Sequence, residues 1–135
     1  MNISVNVLLL YSIVGAVILF YFPFLIVAYG RLQAGYDMSA PRAMFDKLPA
    51  YAQRATWAHQ NSFEALIIFS VAALMAYSTG VDSNSAKIAA IAFLVARFFY
   101  SIFYILNIPV LRSLMFGIGS ISAFTLFSLS LLKVS

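Results

Sequence analysis

The sequence contains no cysteine and few charged residues. The lack of cysteine excludes disulfide frameworks, thiolate metal sites and a cysteine nucleophile. Only 9% of the 135 residues are charged, against about 25% in a typical soluble domain. The basic residues form no run or stripe, so a nucleic-acid partner is not expected. What is present is apolar: 64% of the residues are hydrophobic and the mean hydropathy is +0.97. This composition predicts an integral membrane protein.

Four segments are long and apolar enough to cross a bilayer, which takes roughly 20 residues of helix. They are predicted at about residues 7–29, 54–77, 86–106 and 111–132. The first is expected to be a retained helix rather than a signal peptide, because no Lys or Arg precedes it. Pro23 is expected to kink it. Strands are not expected, because no segment alternates with a period of two residues.

Three connections join these segments, and only the first is long. It covers residues 30–53 and is polar. The second is a short turn in which Ser83 or Ser85 is a suitable N-cap for the third helix, and Asn107 to Pro109 separates the third helix from the fourth. Short connections imply antiparallel neighbours. The sequence therefore predicts one all-α domain over residues 1–135, an up-down-up-down four-helix transmembrane bundle.

The basic residues are distributed unequally between the two ends of this bundle. Lys87 and Lys133 fall at one end, and the remaining basic residues of the connections collect at the other: Arg31, Arg42, Lys47, Arg54 and Arg112. By the positive-inside rule the long loop is predicted to be cytoplasmic, with both termini on the opposite side.

Two charged residues lie well inside the predicted spans, Glu64 in the second and Arg97 in the third. At 1.5 Å of rise per residue both lie roughly 14 Å from the same end of the bundle. Charges at membrane depth are usually paired and often mark a functional site. Equal depth and opposite sign therefore predict a buried Glu64–Arg97 pair, which is explained equally well as structural or as part of a site.

The start of the second helix carries a polar face. At 100° per residue four side chains fall within about 80° of one another: Arg54, Trp57, Asn61 and Glu64. His59 points about 140° away from Arg54. Taken singly, Trp57 is better explained as an interfacial anchor, and His59 as a packing residue.

The third helix carries a matching face, on which Arg97, Tyr100 and Tyr104 fall within about 60°. Arg112 and Ser113 follow at the start of the fourth helix. Taken singly, the tyrosines are better explained as interfacial aromatics and Arg112 as a flanking residue. If the two faces meet, they form a cationic, donor-rich pocket suited to a small anionic, peptide-like ligand. No set of residues has metal-ligand spacing, and no metal is expected.

The motif Ala58-His59-Gln60-Asn61-Ser62-Phe63-Glu64 resembles the Arg-Ala-His/Gln-x-Asn-x-x-Glu signature of the MAPEG family, the membrane-associated proteins in eicosanoid and glutathione metabolism. Arg97-x-x-Tyr100-x-x-x-Tyr104, followed by Arg112-Ser113, resembles the third-helix pattern of that family. The resemblance extends over essentially the whole chain and is that of a bacterial-type member similar to microsomal glutathione transferase. It departs at Trp57, where the family has an arginine; Arg54, one turn earlier on the same face, is the candidate replacement.

This resemblance implies a homotrimer of four-helix subunits that binds glutathione between subunits near the cytoplasmic face. Positions that hold glutathione are matched by Asn61, Glu64, Tyr100 and Tyr104. Arg112 matches the arginine thought to stabilise the glutathione thiolate, and Arg97 matches a buried structural arginine. The positions that reach glutathione held mainly by the neighbouring subunit are matched by Arg31 and His59.

The function expected from this resemblance is a glutathione transferase or peroxidase. Its substrates would be apolar electrophiles or lipid hydroperoxides that arrive from the surrounding lipid. The predicted catalytic residues are Arg112, Tyr100 and Tyr104, with Arg54 assisting in binding. The alternative is a non-catalytic protein that keeps the MAPEG fold and binds a lipid or another anionic ligand, a reading motivated by Trp57.

Overall fold

The computed structural model describes residues 2–135, and within them the chain is helical and contains no strand. The long helices are α1 (Val5–Gln33), α2 (Ala50–Thr79), α3 (Asn84–Ile105) and α4 (Pro109–Val134). All four are long and apolar enough to cross a membrane. The chain is therefore an integral, multi-pass membrane protein, and the predicted all-α four-helix class is confirmed.

The helices extend beyond the spans that hydropathy delimits. Helix α1 ends at Gln33 rather than near residue 29, and α2 begins at Ala50 rather than near residue 54. Hydropathy marks only the hydrocarbon core, whereas a helix keeps its backbone hydrogen bonds in the polar interface beyond it. The remaining loop is shorter and contains a 3-10 helix, Arg42–Lys47, that the sequence did not indicate.

The turns between helices are set by local chemistry. Helix α2 ends at Gly80, whose φ of 75° lies in the left-handed region that glycine adopts without strain. Ser83 is the N-cap of α3, since its hydroxyl accepts a hydrogen bond from the Ala86 amide at 3.3 Å. Pro109 occupies the first turn of α4, where the absence of an amide hydrogen costs nothing.

The helices pack in pairs through small side chains. Helix α1 packs mainly on α2, and α3 mainly on α4, while α2 also contacts α3 and α4. Alanines fill much of the buried surface, which lets helix backbones approach closely in a membrane. The closest approach joins α1 to α2, where a Cβ on Gly30 would collide with the Cβ of Ala52. Farther along the bundle, the rings of Phe69 and Phe93 stack at 3.9 Å within the main core.

We define the loop end of the bundle as the end where α1 and α3 finish and where α2 and α4 begin. Side chains of α2 bind both the loop and the end of α1 here. The Gln53 side-chain amide donates to the Phe45 carbonyl at 3.2 Å, and the Tyr51 hydroxyl donates to the Gln33 side chain. The Phe45 ring lies 5.6 Å from the Trp57 ring, which places a loop residue over the polar face of α2.

Candidate functional site

A column of aromatic and cationic side chains runs into the membrane from the loop end, between α2, α3 and α4. The Trp57 and Tyr104 rings lie 6.4 Å apart, and the Arg112 guanidinium carbon lies 4.8 Å from the Tyr104 ring centre. Tyr104 meets Tyr100 edge to face at 5.6 Å, and Arg97 lies 3.9 Å from the Tyr100 ring centre. These five residues are called the site column below. The two helix faces that the sequence predicted do meet here.

Arg97 lies at the deep end of the site column and is only 5% exposed. Its guanidinium donates to the Ser62 hydroxyl at 3.3 Å and stacks on Tyr100. Gly119 of α4 makes room for the Arg97 side chain, since a Cβ there would lie 3.3 Å from its Cδ. Cation–π stacking and a hydroxyl acceptor thus hold this charge within the apolar interior.

The prediction of a buried Glu64–Arg97 pair is wrong. The two residues form no direct ion pair anywhere in the described chain, and Glu64 is exposed on the surface of α2. A cavity of about 110 Å³ separates them, and both line it together with Asn61 and Ser120. Equal depth along two helices predicted the right neighbourhood, since both residues line one cavity, but Glu64 is exposed whereas Arg97 is buried.

Asn61 lines this cavity, and its side-chain oxygen is buried without a hydrogen-bond partner among residues 2–135. A buried acceptor of this kind costs roughly 1–3 kcal/mol unless something donates to it. A cavity of this volume has room for water or a small polar group, because a water takes about 30 Å³ in the liquid. Asn61, Glu64 and Arg97 therefore offer an acceptor, an anion and a cation around one space at membrane depth.

Arg54 is the candidate replacement for the family arginine that is absent here, but it already makes a hydrogen bond within the protein. Its Nε donates to the carbonyl of Ile105 at 2.9 Å. Ile105 is the last residue of α3, where helix carbonyls have no partner within the helix and where a cation is favourable. Arg54 thus joins the start of α2 to the end of α3, and one of its donors is committed to that role.

His59 and Arg31 lie apart from the site column, on the α1 side of the bundle. The His59 Nδ1 donates to the Phe20 carbonyl at 2.9 Å, and its ring stacks on the Phe20 ring at 4.4 Å. Phe20 stands one turn before Pro23, where proline interrupts the backbone hydrogen bonding of α1. Arg31 stands in the last turn of α1, and its Nε is buried without a partner in the described chain. His59 thus points away from Glu64, as the helical wheel predicted.

Three residues that shape this site were missed by the sequence reasoning. Ser62 lies inside the recognised motif and could have been found as the nearest hydroxyl to a buried cation. Gly119 could have been noticed as a glycine in an apolar helix, which often marks a close approach. No sequence pattern marks Phe45 as a site residue, because only the folding of the loop brings it to Trp57.

The model of the MAPEG family matches residues 8–132, nearly the whole chain. The chain belongs to the MAPEG family. No curated protein and no solved structure matches it. As a MAPEG protein it is a membrane protein related to glutathione and eicosanoid metabolism, and members of the family typically use glutathione.

The site of this MAPEG protein suits an anionic ligand bearing amide and amine donors. Arg97 and Arg112 supply two cations, Glu64 supplies one anion, and the Asn61 oxygen lacks a donor. Glutathione carries two carboxylates, one amine and two amides, so its chemistry matches these groups. Within residues 2–135 no cluster of three or more His, Cys, Asp or Glu residues that could hold a metal ion is formed.

Proposed function

We propose that this MAPEG protein is a glutathione-dependent membrane transferase or peroxidase that acts on apolar electrophiles or lipid hydroperoxides. The observation that supports this most is the position of Arg112. Its guanidinium stands over Tyr104 at the loop end of the site column, where the residue is partly exposed. A cation in that place favours the ionised form of a thiol, which is the reactive nucleophile.

The residues of the site divide into reacting and holding groups. Arg112 stabilises the thiolate, and Tyr104 or Tyr100 donates a hydrogen bond to it. Asn61 accepts from an amide or amine of the tripeptide, and Glu64 pairs with its ammonium group. These assignments follow the unsatisfied Asn61 oxygen and the opposite charges around the shared cavity. Arg54 adds a cation at the loop end, beyond its bond to α3.

The proposed assembly is a homotrimer in the lipid bilayer. Glu64 is exposed on an apolar helix surface, which is costly in lipid and is relieved where a second subunit covers it. His59 and Arg31 lie on a different side of the subunit, with a free His59 Nε2 and an unpartnered Arg31 Nε. That separation supports the proposal that they complete the site of a neighbouring subunit. We propose that the loop end is cytoplasmic, as the positive-inside rule indicates.

Both proposed reactions balance with glutathione as the only co-substrate, and neither needs a further oxidant or reductant. In the transferase reaction a carbon–sulfur bond forms, the leaving group departs with its electron pair, and the thiol proton goes to water. In the peroxidase reaction the oxygen–oxygen bond of a lipid hydroperoxide breaks, giving an alcohol and water, while two thiols are oxidised to a disulfide. In both, the chain's role is to hold the thiol ionised beside Arg112 and to admit the apolar substrate from the membrane.

The test is an activity assay on purified protein in detergent. We expect conjugation of a generic electrophile with glutathione, reduction of a lipid hydroperoxide, or both. Arg112→Ala is expected to lower turnover at least a hundredfold, because the cation acts on the charged form of the thiol. Lys133→Ala, at the far end of α4, is the matched control and should retain full turnover. Absence of both activities in the intact protein would refute the proposal.

The second candidate is a non-catalytic membrane protein that binds a lipid or another anionic ligand. The bond from Arg54 to Ile105 favours it, because that arginine is then less available to replace the family arginine that Trp57 displaces. Thermal unfolding with and without millimolar glutathione separates the two. Stabilisation supports the enzyme, and no shift, combined with stabilisation by an anionic lipid, supports the alternative.

A further inference from the structure

Trp57 stands in an arrangement that its position in the family does not explain. Its ring lies between Phe45 of the loop, at 5.6 Å, and Tyr104 of α3, at 6.4 Å, and both contacts are tilted rather than parallel. Even so, 44% of the residue remains exposed. A tryptophan that only anchors a helix at the interface requires no aromatic neighbours. This ring contacts two other aromatic rings and is still partly exposed.

Trp57 is linked to the proposed reacting centre through one aromatic ring, that of Tyr104. Tyr104, which touches the Trp57 ring, also carries the Arg112 guanidinium at 4.8 Å. A ligand ring placed on Trp57 and the cation that is proposed to hold the thiolate would thus share Tyr104 as a neighbour. Flat rings favour offset-stacked or edge contacts, which contribute about 0.5–1.5 kcal/mol beyond their buried area.

We infer that Trp57 is a specificity-determining residue: a stacking platform that favours electrophiles and conjugates carrying a planar aromatic ring. Where an arginine would bind an anionic group, Trp57 binds a ring. The inference rests on the proposed function, since it assigns the class of substrate taken by the same site. For an aryl halide, the thiolate sulfur bonds to the ring carbon, and the halide leaves with its electron pair. The thiol proton goes to water, and no oxidant is needed.

The test compares two glutathione derivatives that differ only in the presence of a ring, S-benzylglutathione and S-methylglutathione. Binding of each is measured by calorimetry to the full-length protein in detergent and to its Trp57→Ala and Trp57→Phe variants. Trp57→Ala is expected to weaken S-benzylglutathione about 2- to 12-fold, the stacking contribution converted at 1.4 kcal/mol per tenfold. S-Methylglutathione should change less than about twofold. Trp57→Phe keeps a ring between Phe45 and Tyr104 and should restore most of the affinity.

A second readout uses the fact that Trp57 is the only tryptophan in the chain. S-Benzylglutathione should shift its fluorescence emission, and S-methylglutathione should not. If Trp57→Ala weakens both derivatives equally, or neither, the platform is refuted and Trp57 is an anchor, while glutathione binding stands. If neither derivative binds the unaltered protein, the proposed function itself fails.

Discussion

Replacing Arg54 by alanine tests whether this residue mainly joins α2 to α3 (a helix clamp) or mainly binds the ligand. The change removes the 2.9 Å bond from its Nε to the last carbonyl of α3. A hydrogen bond from a charged group contributes about 1.5–3 kcal/mol in proteins, and interhelical polar contacts in membranes average nearer 0.6 kcal/mol. Arg54 is half-buried, so we expect a loss of about 1–2 kcal/mol, or roughly 5- to 30-fold in the unfolding equilibrium.

The measurement is reversible unfolding in mixed detergent micelles, followed by far-ultraviolet circular dichroism, together with glutathione affinity. The matched control is Arg42→Ala, which removes the same charge from an exposed residue of the loop helix and should change stability by less than about 0.5 kcal/mol. An unchanged stability of Arg54→Ala, with glutathione affinity lowered more than tenfold, would refute the helix-clamp account. Arg54 would then be the replacement for the arginine that Trp57 displaces.

The remaining predictions concern packing and catalysis. Gly30→Ala should destabilise the protein by about 1–3 kcal/mol, because the added methyl collides with Ala52; a neutral result in the same unfolding assay would contradict the close approach. Phe69→Ala should cost about 3–5 kcal/mol by opening the main core, whereas Phe124→Ala, at a ring that is 63% exposed, should leave stability nearly unchanged. Arg112→Lys should keep the charge but lower turnover measurably, since a lysine cannot lie flat on an aromatic ring; equal turnover would argue that charge alone suffices.

The prediction from the sequence succeeded where one helix carries all the information. A hydropathy window finds each span, because lipid requires about 20 apolar residues whatever the neighbours are. The polar face of α2 was predicted from the rotation of 100° per residue around a single helix. His59 lies on a different side from Glu64, as that rotation predicts. It failed where a direct contact between particular side chains of two helices was predicted. Glu64 and Arg97 share a depth, yet a cavity lies between them.

The sequence by itself determined the membrane class, the four spans, the family and the polar residues worth following at the start of α2. These are properties of composition and of period along one chain, which lipid and helix geometry fix locally. Only the tertiary structure decided what those polar residues touch. Arg54 ends up on the carbonyl of Ile105, Arg97 on Ser62 and Tyr100, and Trp57 between Phe45 and Tyr104. Such contacts depend on interhelical distance, rotation and loop path, which a one-dimensional pattern does not contain.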